Sequence, residues 1–223
     1  MLQDPNLYSK IVNGGFFATG FVASTDSRQI PIVAVFPTGD MRWDAAQAVE
    51  WVKLGVPALE NFMATPFPSS RITITYGFAV GAAGGSGNIN IEDQGTYESR
   101  WLQGMQPYEC TVYHELSHSY ILNEALNQFL ELYQYNLVHT GSTALQNWTV
   151  WRVPSADRSG VFAILDIYQL IGNAAMSNAY KNLYPINPPY AGPLSQQCQQ
   201  AFVDQAPSNL KTQVAALAAR IYP

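Results

Sequence analysis

The stretch from Thr111 to Glu131 constrains the fold of this chain most, because it combines a metal-binding motif with the apolar spacing of a helix. His114, Glu115 and His118 form HExxH. Residues four apart lie on one face of a helix, about one turn apart, so both imidazoles can reach one ion. Two nitrogens, a carboxylate and an open position suit zinc. The pattern also assigns Glu115 as a general base, unless two core histidines merely flank an exposed glutamate.

Composition limits the partners of the chain. Its 223 residues can form one large domain or two small ones with a sizeable core. The net charge is −5, 12% of residues are charged and no basic stripe is present, so no nucleic-acid partner is predicted. No apolar run approaches the roughly 18 residues of a membrane span. No signal peptide is visible, and the lysine-poor, polar composition favours an extracellular location, while compartment and oligomeric state stay open.

The chain has two cysteines, Cys110 and Cys198, which form neither a zinc-binding pair nor a redox motif. One alternative is a disulfide, which we expect if the protein is extracellular, because it would anchor the start of the metal-binding helix. The other alternative is a pair of buried thiols.

The residue pattern of the first part of the chain predicts strands before and after one helix. Segments 14–24 and 29–36 are apolar and β-branched, as in buried strands. A helix is predicted from Trp43 to Met63, with a break or kink at Gly55 and Pro57.

Three further segments follow that helix. Residues 71–78 alternate, which predicts a half-buried strand. The glycine-rich residues 81–87 indicate a loop, or backbone that approaches a ligand closely. Residues 88–92, NINIE, alternate again and predict an exposed edge strand that can bind extended peptide by strand addition.

The second part is helical in pattern. Helices are predicted from Pro107 through the metal-binding pattern, on to about Leu137, and from Pro154 to Ile171 with a stop at Gly172. Further helices cover residues 173–183, 194–203 and 208–221. The predicted fold class is therefore α+β, with a mixed-sheet lobe over residues 1–106 and a helical lobe carrying the metal site over residues 107–223.

These segments resemble the catalytic domain of gluzincin metallopeptidases, particularly the aminopeptidase-N-like group and its glycyl-aminopeptidase relatives. YHELSHSYI resembles the first zinc helix of that family, and Asn123-Glu124-Ala125 resembles the motif on its second helix. The resemblance implies a thermolysin-like fold with a zinc ion held by His114, His118 and Glu124. It also matches Glu131 to a recurring glutamate, which predicts either an acceptor for a ligand histidine's other N–H or an exposed helix residue.

Glu124 follows His118 after a shorter gap than in the aminopeptidase group. In an unbroken helix it would lie about 120° around the axis from His118 and about 9 Å further along. It can therefore bind the same ion only if the helix breaks between Ser119 and Asn123, where Asn123 can cap the second helix or adopt a left-handed conformation. The alternative is one long helix, with the third ligand supplied by Glu131, Asp157, His139 or a partner chain.

Two other family features are missing. Aminopeptidases carry a GxMEN strand whose glutamate holds the free amino group of the substrate, but Gly87 stands at that position, and Glu92 is a possible substitute. The family also has an oxyanion-binding tyrosine, which is absent near Asp157. Candidate replacements are the tyrosines and the histidine of the second half: Tyr168, Tyr180, Tyr184, Tyr190 and His139. Each also fits the pattern of a packing or surface residue, so none is assigned as catalytic from the sequence.

The predicted function is zinc-dependent hydrolysis of a peptide bond in a peptide or protein substrate. Glu115 would accept a proton from water and pass it to the leaving amine. The missing GxMEN glutamate leaves endopeptidase and aminopeptidase action both open. Two alternatives are a non-catalytic peptide-binding domain with a vestigial site, and a metallohydrolase acting on a non-peptide substrate.

Overall fold

The computed structural model describes residues 16–25, 28–37, 45–76, 83–85, 87–91, 108–139, 158–190 and 192–221. The described residues form a small mixed sheet and a larger set of helices. The strands are β1 Phe16–Ser24, β2 Gln29–Pro37, β3 Ile72–Tyr76, β4 Ala83–Gly85 and β5 Asn88–Ile91. The α-helices are α1 Ala45–Met63, α2 Tyr108–Ser117, α3 Glu124–Val138, α4 Arg158–Leu183, α5 Gln196–Val203 and α6 Lys211–Ala218.

The five strands form one sheet in the order β1-β2-β3-β5-β4. β2, β3 and β5 run parallel, and β1 and β4 pair antiparallel at the two sides. β3 is the central strand, and both its isoleucines and its two threonines are buried. The expectation of a half-buried strand is therefore wrong here, because alternation of Ile and Thr also fits a strand that is covered on both faces.

The segment NINIE is not an edge strand in the described residues, which corrects the sequence prediction. β5 pairs with β3 on one side and with β4 on the other. β4 consists of Ala83, Gly84 and Gly85, so part of the stretch predicted as a loop forms the outer strand instead. One alanine and two glycines contain no β-branched residue and do not alternate, so the sequence did not predict that they would pair with β5.

α1 continues through Pro57 as a single helix, so a break at Gly55 and Pro57 is wrong, and the alternative of a kink stays a prediction. Proline removes one backbone donor and disfavours the helix interior. The helix persists because its apolar face is buried on both sides of the proline, at Val49, Val52 and Leu59. α1 connects the parallel strands β2 and β3 and packs against α2 and α3.

α4 contains the predicted interruption. Gly172 has φ 78° and ψ 175°, which is outside the helical region and suits glycine, so the helix is divided there. By length and composition alone, Gly160–Ile186 is apolar enough to cross a membrane, whereas the sequence predicted no span. That criterion is weak by itself, because core helices of soluble proteins also meet it. α4 packs against α1, α3, α5 and α6.

The helices enclose an aromatic core next to the metal-binding pattern. The ring of Phe62 on α1 contacts Phe129 and Tyr133 on α3 and Tyr180 on α4, with centroids 4.4–6.0 Å apart. Burial of such rings is a large apolar contribution to stability. This core fixes α3 between α1 and α4, and α2 lies between α3 and the β4–β5 side of the sheet.

Cys110 and Cys198 are both buried free thiols. The disulfide alternative is therefore wrong and the thiol alternative is confirmed. The proposed boundary between two lobes at residues 106 and 107 lies outside the described residues, and stays a prediction.

Candidate metal centre

The chain breaks between the two helices that carry the metal-binding pattern. α2 ends at Ser117 and α3 begins at Glu124. Ser119 and Tyr120 donate from their backbone N–H groups to carbonyls three residues back, which tightens the end of α2. Asn123 is the N-cap of α3, with extended φ and ψ of −67° and 125°, and its side chain accepts from Leu126 N at 3.2 Å. The capping alternative is therefore confirmed, and the single long helix is wrong.

This break brings the three predicted ligands together. His114 Nε2 lies 3.1 Å from His118 Nε2 and 3.1 Å from Glu124 Oε2. His118 Nε2 lies 3.5 Å from Glu124 Oε1. One ligand atom from each residue falls within 4.8 Å of the others, so a single ion can contact all three. Two imidazole nitrogens and a carboxylate oxygen are a donor set that fits zinc.

The charges of these groups are strongly coupled. Burial alone would lower the pKa of His114, but hydrogen bonds to Glu124 and Glu131 outweigh it and raise that pKa well above its usual value. Burial would raise the pKa of Glu124, but hydrogen bonds to His114 and His118 hold it well below its usual range. The carboxylates thus favour a positive charge between the side chains, which a proton or a metal ion can supply.

Glu131 lies behind His114, on the opposite side from Glu124. His114 Nδ1 donates to Glu131 Oε2 at 3.2 Å, and Glu131 is fully buried. Burial raises the pKa of Glu131 to about 7, although the hydrogen bond to His114 opposes the shift. The alternative of an exposed helix residue is therefore wrong. A carboxylate at Nδ1 keeps the proton on that nitrogen and leaves Nε2 free to bind an ion.

Glu115 is buried beside the ligand group. Its Oε2 atom has no hydrogen-bond partner among the described residues. Burial raises the pKa of its carboxyl group, and the nearby His114 and His118 oppose that shift. A buried acceptor with a raised pKa and no partner is suited to accept a proton from a bound molecule.

Two of the other proposed third ligands, Glu131 and His139, make different contacts in the described structure. His139 follows α3 and pairs with Glu109, at 2.8 Å from each carboxylate oxygen. Asp157 lies outside the described residues. Two neighbours that the sequence did not indicate do approach the histidines: Asn127 contacts His118 Nδ1, and Gln128 Nε2 lies 3.2 Å from His114 Nδ1.

Tyr190 is the candidate tyrosine that the structure brings to the ligand group. Its ring stacks on His118 with centroids 5.8 Å apart and an interplanar angle of 27°, and its side chain hydrogen-bonds to Glu124. The backbone N–H of Glu124 donates to Tyr190 O at 3.0 Å, and Asn123 Nδ2 donates to Pro189 O at 2.9 Å. The segment at Pro189 and Tyr190 is therefore attached to the start of α3.

The other candidate tyrosines have different surroundings. Tyr180 is buried and donates to Leu126 O, Tyr168 packs on Phe129, and Tyr184 packs on Tyr120.

The β4–β5 turn at the edge of the sheet contacts the break between α2 and α3. Gly87 N donates to Ser119 Oγ at 3.1 Å, which ties the β4–β5 turn to the break between α2 and α3. Gly87 has φ 78°, and a Cβ there would lie 2.4 Å from Arg71 O, so only glycine fits. A Cβ on Gly85 would lie 3.9 Å from His118 O. Gly85 and Gly87 thus lie against the residues that follow α2. The sequence alternative of a backbone that approaches a bound ligand stays a prediction.

A cavity of about 470 Å³ adjoins the metal group through His118. Its lining consists of uncharged side chains besides that histidine: Ser119, Tyr120, Leu122, Tyr184, Pro185 and Asn187. The hydroxyl of Tyr120 is already used, because it donates to Thr65 O at 2.7 Å. The cavity therefore presents a largely neutral surface next to the ligand group.

Solved structures of similar fold include peptidases. The M1 zinc metallopeptidase from Deinococcus radiodurans matches with a TM-score of 0.65 and 12% identity, over 94% of this chain and 53% of that one. A mutant of it bound to a Tyr-Ser-Ala substrate gives 0.66 and 11% over the same shares. Legionella pneumophila aminopeptidase A in complex with aspartic acid gives 0.60 and 13%, over 93% and 28%.

These matches establish a fold like that of M1 zinc metallopeptidases, since identity near 12% shows the fold alone. This chain spans about half the length of the Deinococcus structures. No protein-family profile matches the sequence, and no curated protein matches it significantly.

Proposed function

We propose that this protein is a zinc-dependent peptidase of the gluzincin type, with a thermolysin-like catalytic domain. His114, His118 and Glu124 would hold the zinc ion, and Glu115 would act as general base. The observation that carries the proposal is the convergence of two imidazole nitrogens and a carboxylate beside a buried, unpartnered Glu115 oxygen in the described structure. The zinc peptidases of similar fold support it, although this chain covers only half of their length.

A bound zinc ion would supply Lewis-acid chemistry, which activates water and polarises a carbonyl group. Glu115 would accept the proton of the attacking water and donate it to the leaving amine, and its raised pKa favours that second step. Glu131 would hold His114 by Nδ1 and keep Nε2 directed at the ion. Tyr190 is exposed and stacks on His118, which supports it as the tyrosine that would donate to a developing oxyanion.

The substrate we propose is an extended peptide. β4 is an outer strand of the described sheet and packs against α2, so a peptide that pairs with it would pass the ligand group. The uncharged lining of the adjoining cavity favours a neutral side chain next to the scissile bond. Gly87 offers no carboxylate for a free amino group, and Glu92 lies outside the described residues, so endopeptidase and aminopeptidase action both remain in the proposal.

Cleavage of a mixed peptide library tests this function. The protein should contain about one zinc ion per molecule, and a chelator should stop cleavage, which zinc then restores. Comparing each peptide with its N-terminally acetylated form separates the two modes, because an aminopeptidase cannot cleave the acetylated one. Less than about a tenth of an equivalent of zinc after supplementation would contradict the metal site.

The second candidate is a non-catalytic peptide-binding domain, which the outer strand β4 favours. In that case peptides would bind, and zinc would be present or absent without any cleavage. Binding of a peptide that is recovered intact after long incubation with the zinc-loaded protein would support this candidate over the enzyme.

A further inference from the structure

Helix α3 places two neighbouring carboxamides behind the two candidate ligand histidines. Gln128 approaches His114 Nδ1, a nitrogen that Glu131 also contacts. Asn127 contacts His118 Nδ1 and is fully buried. Among the described residues, Asn127 is the polar side chain brought to that nitrogen, so the two histidines are held differently.

The orientation of the Asn127 amide follows from its second contact. One end of this amide lies 2.6 Å from the carbonyl oxygen of Ile121. A carbonyl oxygen can only accept, so that end must be the NH₂ group. The same NH₂ group touches His118 Nδ1. The other end, Oδ1, is buried and without a partner in the part of the chain that the structure describes.

This arrangement fits one protonation form of His118 better than the other. An NH₂ group donates, so it suits a His118 whose Nδ1 carries no proton. A histidine that binds a metal ion through Nε2 carries its remaining proton on Nδ1 and needs an acceptor there. The unpartnered Oδ1 of Asn127 is such an acceptor, and it belongs to the side chain that already contacts Nδ1.

We propose that Asn127 is the positioning residue of His118. When Nε2 binds a metal ion, its carboxamide would turn away from Ile121 O and give up that hydrogen bond, so that Oδ1 accepts the Nδ1 proton. The proposal rests on the zinc site proposed above and adds a residue that HExxH does not include. Asn127 would therefore serve the metal-free histidine as a donor and the metal-bound histidine as an acceptor. An amide can do both, whereas a carboxylate can only accept.

Zinc dissociation constants of three variants test this role, measured by competition with a chromophoric chelator on the metal-free protein. Asn127→Leu removes both polar ends at similar volume, and we expect zinc binding about 10–100-fold weaker. Asn127→Asp keeps an acceptor at Nδ1, and we expect binding at least as tight as in the parent. Gln134→Leu is the matched control, because Gln134 is another buried amide of α3 with an unpartnered Oε1 in the described structure.

Among the described residues, Gln134 donates to Tyr113 O, Ser117 Oγ and Leu130 O at 2.8–3.2 Å, and to no histidine. Its variant therefore reports the cost of removing a buried amide near the site. Equal zinc affinity of Asn127→Leu and Gln134→Leu would overturn the proposal. So would an Asn127→Asp protein that binds zinc as weakly as Asn127→Leu.

A second readout needs no variant of Asn127 to fold. In the ¹⁵N-labelled parent, zinc should shift the side-chain NH₂ resonances of Asn127 much more than those of Gln134, because only the first amide would exchange its partners. Equal shifts, or none at Asn127, would contradict the rotation. A parent protein that binds no zinc in the same titration would overturn the zinc site itself, which is a different result from zinc binding without an Asn127 effect.

Discussion

Two histidine–carboxylate pairs join the region of α2 to that of α3, and they differ in an informative way. In the inner pair, His114 Nδ1 meets buried Glu131 at 3.2 Å. In the outer pair, His139 Nε2 meets Glu109 at 2.8 Å from both oxygens, and Tyr113 donates to the same carboxylate at 2.5 Å. The outer pair is closer and better satisfied, yet its histidine side chain is 43% exposed.

The inner pair is the functional candidate because of what its other nitrogen faces. His114 Nε2 points at His118 and Glu124, so three donor atoms converge on one point. His139 uses Nε2 for its carboxylate, and the outer pair belongs to no such group in the described residues. A short contact between histidine and carboxylate is therefore a poor sign of function, and convergence of free ligand atoms is a better one.

The largest difference between the two regions is expected when one buried glutamate of α2 is changed, Glu115 beside the ligand group or Glu109 in the outer pair. Glu115→Gln should keep zinc and lower peptide hydrolysis by about 10²–10⁴-fold, because an amide cannot accept the proton of water. Glu109→Gln, in the outer pair, should leave the turnover number near the parent value. Unchanged hydrolysis in Glu115→Gln would show that the peptidase mechanism is wrong, whatever the zinc content.

Removing the third ligand tests whether the three converging donor atoms bind one ion. Glu124→Ala should weaken zinc binding by more than about 100-fold, because a three-ligand site loses its only carboxylate. His139→Ala should bind zinc like the parent. The measurement is zinc retention during dialysis against graded chelator concentrations. Parent-like zinc affinity in Glu124→Ala would place the third ligand elsewhere, despite the short distances.

The two carboxylates that contact the histidines, Glu131 and Glu109, should also differ in their effect on zinc binding. Glu131→Gln should weaken zinc binding by about 10–100-fold, since the amide holds His114 less firmly and adds less to its basicity. Glu109→Gln changes a carboxylate that also faces a histidine, and should leave the affinity unchanged. Isothermal titration of the two metal-free proteins with zinc distinguishes them. Equal losses in both would mean that charge near α2, rather than the contact with His114, sets the affinity.

The smallest effect is expected at the outer pair. His139→Ala should lower the free energy of unfolding by less than about 1 kcal/mol, because a half-exposed ion pair is screened by solvent. Urea denaturation at low and high salt measures it, and the small loss should shrink as salt rises. A loss above about 2 kcal/mol would show that the pair with Glu109 has a larger structural role than its exposure indicates.

The sequence predicted the metal group through local pattern, and it failed where pairing in space decides. His114, Glu115 and His118 follow from helical spacing. Glu124 depended on a break in the helix that no glycine or proline marks, although Asn123 indicated the cap. Asn127 has no local signal, because only the approach of α3 to His118 gives it a role. β5 was mistaken for an edge because β4 has no strand pattern.

All three candidate ligands lie within residues 114–124, so an unfolded chain keeps them close together as a flexible chelator. Zinc that binds the unfolded chain as well as the folded one stabilises the fold by less than its affinity for the native site suggests. The same closeness allows the ion to be captured early, before the sheet forms, because closing so short a loop costs little entropy. Zinc present during refolding would then act mainly on the rate at which α2 and α3 pair, and less on the final stability.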